Sequence, residues 1–338
     1  MSKPWISIHI FYSSNGNPLL ADCVAPLVAK LRAGGLISRY FFIRYWLGGP
    51  HIRLRLLPAE GVAAEAVKEV AEADLRAFLA RRPALYEIDR KVLGPLYRSM
   101  YEAEYGAEEL VARYGPDGEI PFYENNSFHY IDYEPEYGRY GGEAGVDMAE
   151  RHFEVSSDLV LKLARETNMH VRGIVMGHSV QMMLQMCYAF FGDEARAAAF
   201  LARYRDFWET SYAQNSQKLY PGFDRKYEHM APKLRGRVEE LRRLNESGDA
   251  AAGTESERRW IAHMKGVREE ALRLAAEGRL ELSAGEVEPD AALAILLSGY
   301  LHMTNNRLGV SILDEIYLSY IIERALAGAG DLAEASGD

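Results

Sequence analysis

Residues 42–56 constrain the fold more than any other stretch of this chain. Two apolar, β-prone runs, Phe42-Ile43-Arg44-Tyr45-Trp46-Leu47 and His51-Ile52-Arg53-Leu54-Arg55-Leu56, flank Gly48-Gly49-Pro50. Such runs joined by a short turn of glycine and proline predict a β-hairpin. Side chains alternate faces along a strand. Ile52, Leu54 and Leu56 therefore share one face, and His51, Arg53 and Arg55 share the other. The hairpin needs a core behind it and carries a row of cations in front. That row has two readings. It is charge that keeps an edge strand from pairing with other chains, or it is a surface for a substrate with carboxylates, which guanidinium forks bind in bidentate fashion.

The surrounding sequence supplies the core. Trp5-Ile6-Ser7-Ile8-His9-Ile10 alternates as a first strand over 5–12 and does not read as a signal peptide. His9 lies opposite the isoleucines, on the side that could join the Arg53 face. Asn15-Gly16-Asn17-Pro18 turns the chain into a helical stretch over 19–33, striped with Leu20, Val24, Leu27, Val28 and Leu31 and ended by Gly34-Gly35. Pro26 predicts a kink or break inside it. After the hairpin, Val62, Val67, Val70, Leu75 and Leu79 recur at helical spacing over 60–81. The order β-α-β-β-α resembles a split, ferredoxin-like half. Residues 85–135 read as aromatic and turn-rich, with a short strand candidate at Phe128-His129-Tyr130-Ile131. From 143 onward the chain reads as about six helices, the last over 311–327. The expected class is α+β, a β-rich, ferredoxin-like N-terminal half packed on a helical C-terminal half. One domain is expected over 1–330, β-rich over 1–142 and helical over 143–330, with a frayed tail at 331–338. The small, polar residues 245–255 predict an exposed, mobile loop.

Composition removes several functions. The 338-residue chain carries a formal charge of −10, which argues against broad, salt-dependent nucleic-acid binding. Cys23 and Cys187 sit in apolar helical contexts without a Cys-x-x-Cys or a Cys/His cluster, so both read as buried thiols in a reducing compartment. The apolar stretch 291–301 is too short to span a bilayer, and a cytoplasmic protein with no membrane partner is expected. His170 and His178 lie eight apart without an HExxH pattern, so no metal site is assigned. Met182-Met183-Leu184-Gln185-Met186 reads as core filler. The chain contains no P-loop, GxGxxG, GxSxG or kinase motif.

Two more segments carry chemistry. Tyr133-Glu134-Pro135-Glu136-Tyr137-Gly138-Arg139-Tyr140-Gly141-Gly142 holds glycines that permit tight turns and close approach of backbone to a ligand. Glu136 and Arg139, three apart, share one side of any helical turn. They are a local ion pair fixing a loop or a charged pair presented to substrate. Leu301-His302-Met303-Thr304-Asn305-Asn306-Arg307-Leu308-Gly309 ends an apolar helix. His302 there is a helix-end cation favoured by the dipole or a general acid/base.

Taken together, the segments resemble the C-terminal, elimination-type domain of class I lantibiotic dehydratases and the stand-alone proteins of thiopeptide biosynthesis related to it. The matching residues are Trp5-Ile6-Ser7-Ile8, Phe42 to Tyr45, His51 to Arg55, Glu136 to Gly142, Ala149-Glu150-Arg151-His152-Phe153 to Ser156-Ser157-Asp158, and His302 to Gly309, in the family's order. The large glutamylation domain of full-length dehydratases is not expected within these residues. The resemblance implies that a separate, tRNA-dependent partner esterifies serine or threonine of a ribosomally made precursor peptide with glutamate. This chain would then eliminate the glutamate to give dehydroalanine or dehydrobutyrine, without direct nucleic-acid contact, metal or cofactor. The family's Arg-x-Arg, Glu-x-x-Arg and His positions fall on Arg53, Arg55, Glu136, Arg139 and His302, the expected catalytic set. Arg44, His51, Tyr133, Tyr140 and Arg307 are the expected substrate-binding residues. A homodimer is an allowed assembly.

Some stand-alone relatives are pyridine synthases. They join two dehydroalanines by a formal [4+2] cycloaddition, then lose water and the leader peptide. Retention of the five catalytic positions argues for the lyase. The aromatic segment 85–135 fits the cycloaddition alternative if Tyr123, Tyr130 and Tyr133 line a peptide cavity. A non-catalytic subunit that binds precursor peptide is a third reading, and its sign would be arginines buried in structural ion pairs.

Overall fold

The computed structural model describes residues 3–212, 216–247 and 253–335. It is α+β and mostly helical, with a four-stranded antiparallel sheet. The strands are β1 (Ile6–Phe11), β2 (Ile37–Tyr45), β3 (His51–Pro58) and β4 (Ser127–Tyr130), arranged β2-β3-β1-β4. The hairpin forms where the alternation requires it. Gly48 and Gly49 take positive φ of 80° and 115° in its turn, a conformation that glycine adopts without a Cβ penalty.

The chain divides into two compact units, residues 1–135 with 153–170, and 136–152 with 171–338. This division is not the expected change at 142/143, because the helix Gly142–Glu166 gives residues to both.

In the first unit, Ile6, Ile8, Ile10, Tyr40, Phe42, Ile52, Leu54 and Leu56 are buried on one sheet face. The helical stretch 16–33 packs on this sheet and on the helix Ala64–Arg81. The stretch does not break at Pro26. Its register widens to a π-turn at Leu20–Val24, and Pro26 falls in the first turn of the α segment Ala25–Ala33. The wider π register directly before Pro26 accommodates a residue without an N–H inside a continuous helical stretch. The segment 85–135 is more regular than its composition predicts. It holds the helices Arg90–Tyr105 and Ala107–Tyr114, around a small core of Tyr97, Tyr101, Leu110 and Ile120 packed with Trp46, Leu47 and Phe122.

The second unit is helical: the start of Gly142–Glu166, then Arg172–Phe191, Glu194–Tyr212, Tyr220–Ser247, Glu255–Ala276, Pro289–Leu308 and Ile312–Ala335. The last helix runs past 327 into the expected tail, as alanine-rich sequence permits, and 336–338 lie outside the described residues. Of the expected loop 245–255, residues 245–247 end one helix and Thr254 caps the next, which starts at Glu255. Thr254 and Glu257 form a capping box, with Thr254 Oγ1 accepting from Glu257 N at 3.2 Å and Glu257 Oε2 from Thr254 N at 2.6 Å. Residues 248–252 lie outside the described residues. The methionines 182, 183 and 186 are core, and Cys23 and Cys187 are buried free thiols. Among the described residues no helix is long and apolar enough to cross a membrane.

Candidate active site

The cation row is built by strand pairing. β3 lies inside the sheet, so its charges do not guard an edge, which removes the edge-strand reading. On β1, Ser7 pairs with Arg55, His9 with Arg53 and Phe11 with His51. On β2, Phe41 pairs with Arg55, Ile43 with Arg53 and Tyr45 with His51. His129 of β4 pairs with His9. One sheet face thus gathers Ser7, His9, His51, Arg53, Arg55 and His129.

This face is covered by rings. His9 stacks on His51 at 4.9 Å between centroids, and Phe11 stacks on Tyr123 at 4.4 Å. Trp5, Phe41 and Tyr133 form an edge-on cluster at its other end. The Arg53 guanidinium lies 3.5 Å from the Tyr45 ring centroid, and the Tyr45 hydroxyl bonds that of Tyr105 at 2.7 Å. Arg55 lies 5.2 Å from the Tyr133 ring, a cation–π contact that offsets part of its lost hydration.

The hydrogen bonds fix the state of His51. Its Nδ1 is 2.8 Å from the Gly49 carbonyl, which only accepts, and Arg53 Nε donates to its Nε2 at 3.2 Å. His51 is therefore the neutral Nδ1–H tautomer and holds Arg53 in place. Burial pushes its pKa down to about 3, with Arg53 and Arg55 adding to the effect against the Gly49 bond. His9 is lowered to about 2 by burial first, then by Arg55 and Arg53. Arg55 is only 4% exposed. Burial, then repulsion from Arg53, lowers its pKa to about 9. Among the described residues no carboxylate pairs with it, and its Nε and Nη1 have no hydrogen-bond partner. A buried guanidinium without an anion is costly to maintain, which makes it a marker for an anionic ligand.

Arg44 does not belong to this row. It pairs with Ile52 on the opposite face, and its Nη2 donates to Asn17 Oδ1 at 2.6 Å. Asn17 in turn donates to the Met169 carbonyl at 3.0 Å. Alternation places 44 and 53 on opposite faces, and burial lowers the Arg44 pKa to about 10.

In the helical unit, Glu136 precedes a single turn, Tyr137–Tyr140, and accepts from Arg139 Nη1 at 3.4 Å. Both side chains are substantially exposed, 55% and 43%. The glycines of this segment serve packing within the chain. A Cβ on Gly138 would lie 2.0 Å from Ser283 Oγ, one on Gly141 would lie 2.5 Å from Leu280 Cδ1, and Ser283 N donates to the Gly138 carbonyl at 2.8 Å. Tyr140 is buried, stacked on Tyr300 at 5.9 Å and in close contact with Gly299. Arg307 is fully buried and donates to the Met303 carbonyl one helical turn back at 2.7 Å.

His302 has a partner that sequence reasoning did not supply. Its Nδ1 is 2.9 Å from Oε1 of Glu315, a carboxylate only 1% exposed on the next helix. Glu315 Oε2 accepts from the Tyr204 hydroxyl and from Asn305 Nδ2, and Asn305 Oδ1 accepts from Ser179. The Trp208 ring packs 4.6 Å from the imidazole. A buried carboxylate bonded through both oxygens fixes the ring through Nδ1, an arrangement compatible with a general acid/base. Glu315 lies thirteen residues beyond His302, past a helix end, at a spacing no local pattern reveals. Ser7 gave a weak signal, since it shares the alternation of His9.

The model of the lantibiotic biosynthesis dehydratase C-terminal region matches residues 5–326. The chain belongs to that family. Its members are biosynthetic enzymes that modify peptides. The pyridine synthase TbtD from thiomuracin biosynthesis shares the fold with a TM-score of 0.78 and 18% identity, over 97% of this chain and 99% of that one. TsrL shares it with a TM-score of 0.69 and 17% identity, over 99% and 97%. The tRNA-dependent lantibiotic dehydratase MibB from Microbispora sp. 107891 matches with a TM-score of 0.54 and 18% identity, over 98% of this chain but 28% of that one. A search of curated proteins finds no match. All five expected catalytic positions fall inside the family match.

Proposed function

We propose that this chain eliminates glutamate from glutamylated serine or threonine of a ribosomal precursor peptide, leaving dehydroalanine or dehydrobutyrine. The observation that carries the reading is the buried Arg55 guanidinium with no carboxylate beside it among the described residues. In this reaction a base takes the Cα proton, the C–O bond to glutamate breaks, and glutamate departs as a carboxylate. Arg53 and Arg55 hold the departing carboxylates, with His51 and Tyr45 positioning Arg53. The roles left for the helical unit are recognition of an ammonium for Glu136 and added positive charge for Arg139. His302, oriented by Glu315, moves the proton. Tyr133 backs Arg55, whereas the buried settings of Tyr140, Arg307 and Arg44 suit positioning of the site's framework rather than contact with substrate. A separate protein would install the glutamate. The order β-α-β-β-α-β with strand order β2-β3-β1-β4 supports a ferredoxin-like reading of the N-terminal half.

One observation favours a second reading, the pyridine synthase: the shared fold with TbtD runs nearly the full length of both chains. Purified protein given a glutamylated peptide and, separately, a dehydrated one separates the two. Mass loss of glutamate from the first supports the lyase. Leader release with a pyridine chromophore from the second supports the cycloaddition. No change in either sinks both and leaves the peptide-binding subunit, a reading the unpaired Arg55 does not favour.

A further inference from the structure

The orphaned polar atoms of the cation face belong to neighbouring side chains. Ser7 Oγ, His9 Nε2, and Nε and Nη1 of Arg55 have no hydrogen-bond partner among the described residues. Ser7 stands opposite Arg55 on the adjacent strand, and His9 opposite Arg53. Side chains so paired have Cβ atoms about 5 Å apart on the same face, within reach of one small ligand. The three residues are only 5%, 4% and 4% exposed. Buried polar groups are nearly always bonded, so four such atoms on adjoining residues mark a place where a ligand completes the bonding.

We propose that Ser7, His9 and Arg55 form a carboxylate-binding subsite in which the serine hydroxyl and a neutral Nε2–H imidazole donate beside the guanidinium. This deepens, and rests on, the reading of the face as a carboxylate clamp. His9 cannot share the proton of a cationic imidazole here, because Arg53, Arg55 and burial all oppose a third positive charge. It is therefore neutral, and the subsite assigns it the Nε2–H tautomer, the one that donates. One guanidinium with two neutral donors matches a single negative charge with several lone pairs, which is a carboxylate. The hydroxyl and the imidazole supply what a bare pair of arginines lacks, donors that stay fixed and uncharged in a dry site.

The test uses the whole chain and glutarate monoamide as probe, with the neutral diamide and inorganic phosphate as comparisons. Binding is read from the thermal midpoint and from the His9 Nε2 resonance in nitrogen-15 imidazole spectra. The monoamide should raise the midpoint and move that resonance, the diamide should do neither, and phosphate should bind more weakly. Ser7→Ala, which removes only a hydroxyl, should weaken the dissociation constant about tenfold. His9→Gln, which keeps a donor, should retain binding better than His9→Phe. Tighter binding of phosphate, no binding of the monoamide, or equal binding by wild type and Ser7→Ala overturns the subsite. Glutamate release is measured on the same variants. Probe binding lost in Ser7→Ala but no release by wild type sinks the lyase and leaves the subsite. Release with binding indifferent to Ser7 and His9 does the reverse.

Discussion

At Arg55 the proposed role in holding an anion is set against stability within one side chain. Its desolvation is offset within the chain by one aromatic ring at 5.2 Å and by no carboxylate among the described residues. Replacing a buried charge by an apolar side chain of similar length is commonly neutral or stabilising, by roughly 1 kcal/mol or more. Arg55→Met should therefore hold or raise the melting temperature while cutting glutamate release about a hundredfold or more. A structural arginine would lose stability and activity together, so melting curves beside single-turnover rates decide the matter. Glu136 lies at the other extreme. Its exposed pair with Arg139 contributes less than about 1 kcal/mol, so Glu136→Gln should leave the denaturation midpoint nearly unchanged. Any large fall in rate for that variant then reports chemistry rather than folding.

At the level of elements, the proposed role of His302 depends on one side chain presenting another across a helix boundary. Glu315, on Ile312–Ala335, bonds His302, on Pro289–Leu308. Glu315→Gln keeps the shape and loses the charge-assisted bond, so the rate should fall about 10²–10⁴-fold with little change in KM. A loss confined to KM would remove the dyad from the chemistry. The turn Tyr137–Tyr140 makes a different demand. Gly141 combines a φ of 90° with contact to Leu280, and Gly141→Ala should cost about 1–3 kcal/mol in urea unfolding. These elements differ in how far sequence reveals them. The hairpin was legible because period-two alternation and a Gly-Gly-Pro turn agree, and the first strand followed from the same alternation. The helices Arg90–Tyr105 and Ala107–Tyr114 were not, because Gly94, Pro95 and Gly106 punctuate them and exposed apolar residues such as Val92 and Leu96 blur their stripe. Glu315 was invisible because a helix end separates it from its partner, and the faces of Arg44 and Arg53 emerged only once strand register was known.

At the scale of the molecule, the buried imidazoles make stability depend on pH well above the range of the carboxylates. His9, His51 and His263 are held at about 2, 3 and 4, each chiefly by burial. Unfolded, each titrates near 6.5. Between those values the unfolded chain binds more protons than the folded one, so stability falls as pH falls. The loss starts near pH 6.5, runs to about pH 4 for His263, and continues lower for His51 and His9. Each histidine contributes up to about 1.4 kcal/mol per pH unit once its unfolded form is fully protonated. Three together approach roughly 4 kcal/mol per unit below pH 5.5, a large share of the 5–15 kcal/mol that holds an ordinary domain together. Urea midpoints measured from pH 7.5 to pH 5 should therefore decline steeply, beginning before carboxylate protonation contributes. His263→Gln should flatten the decline between pH 6 and pH 5, whereas substitution of an exposed histidine should not. A flat midpoint across that range would mean that these imidazoles take up protons in the folded chain, which would also deprive the cation face of its neutral donors.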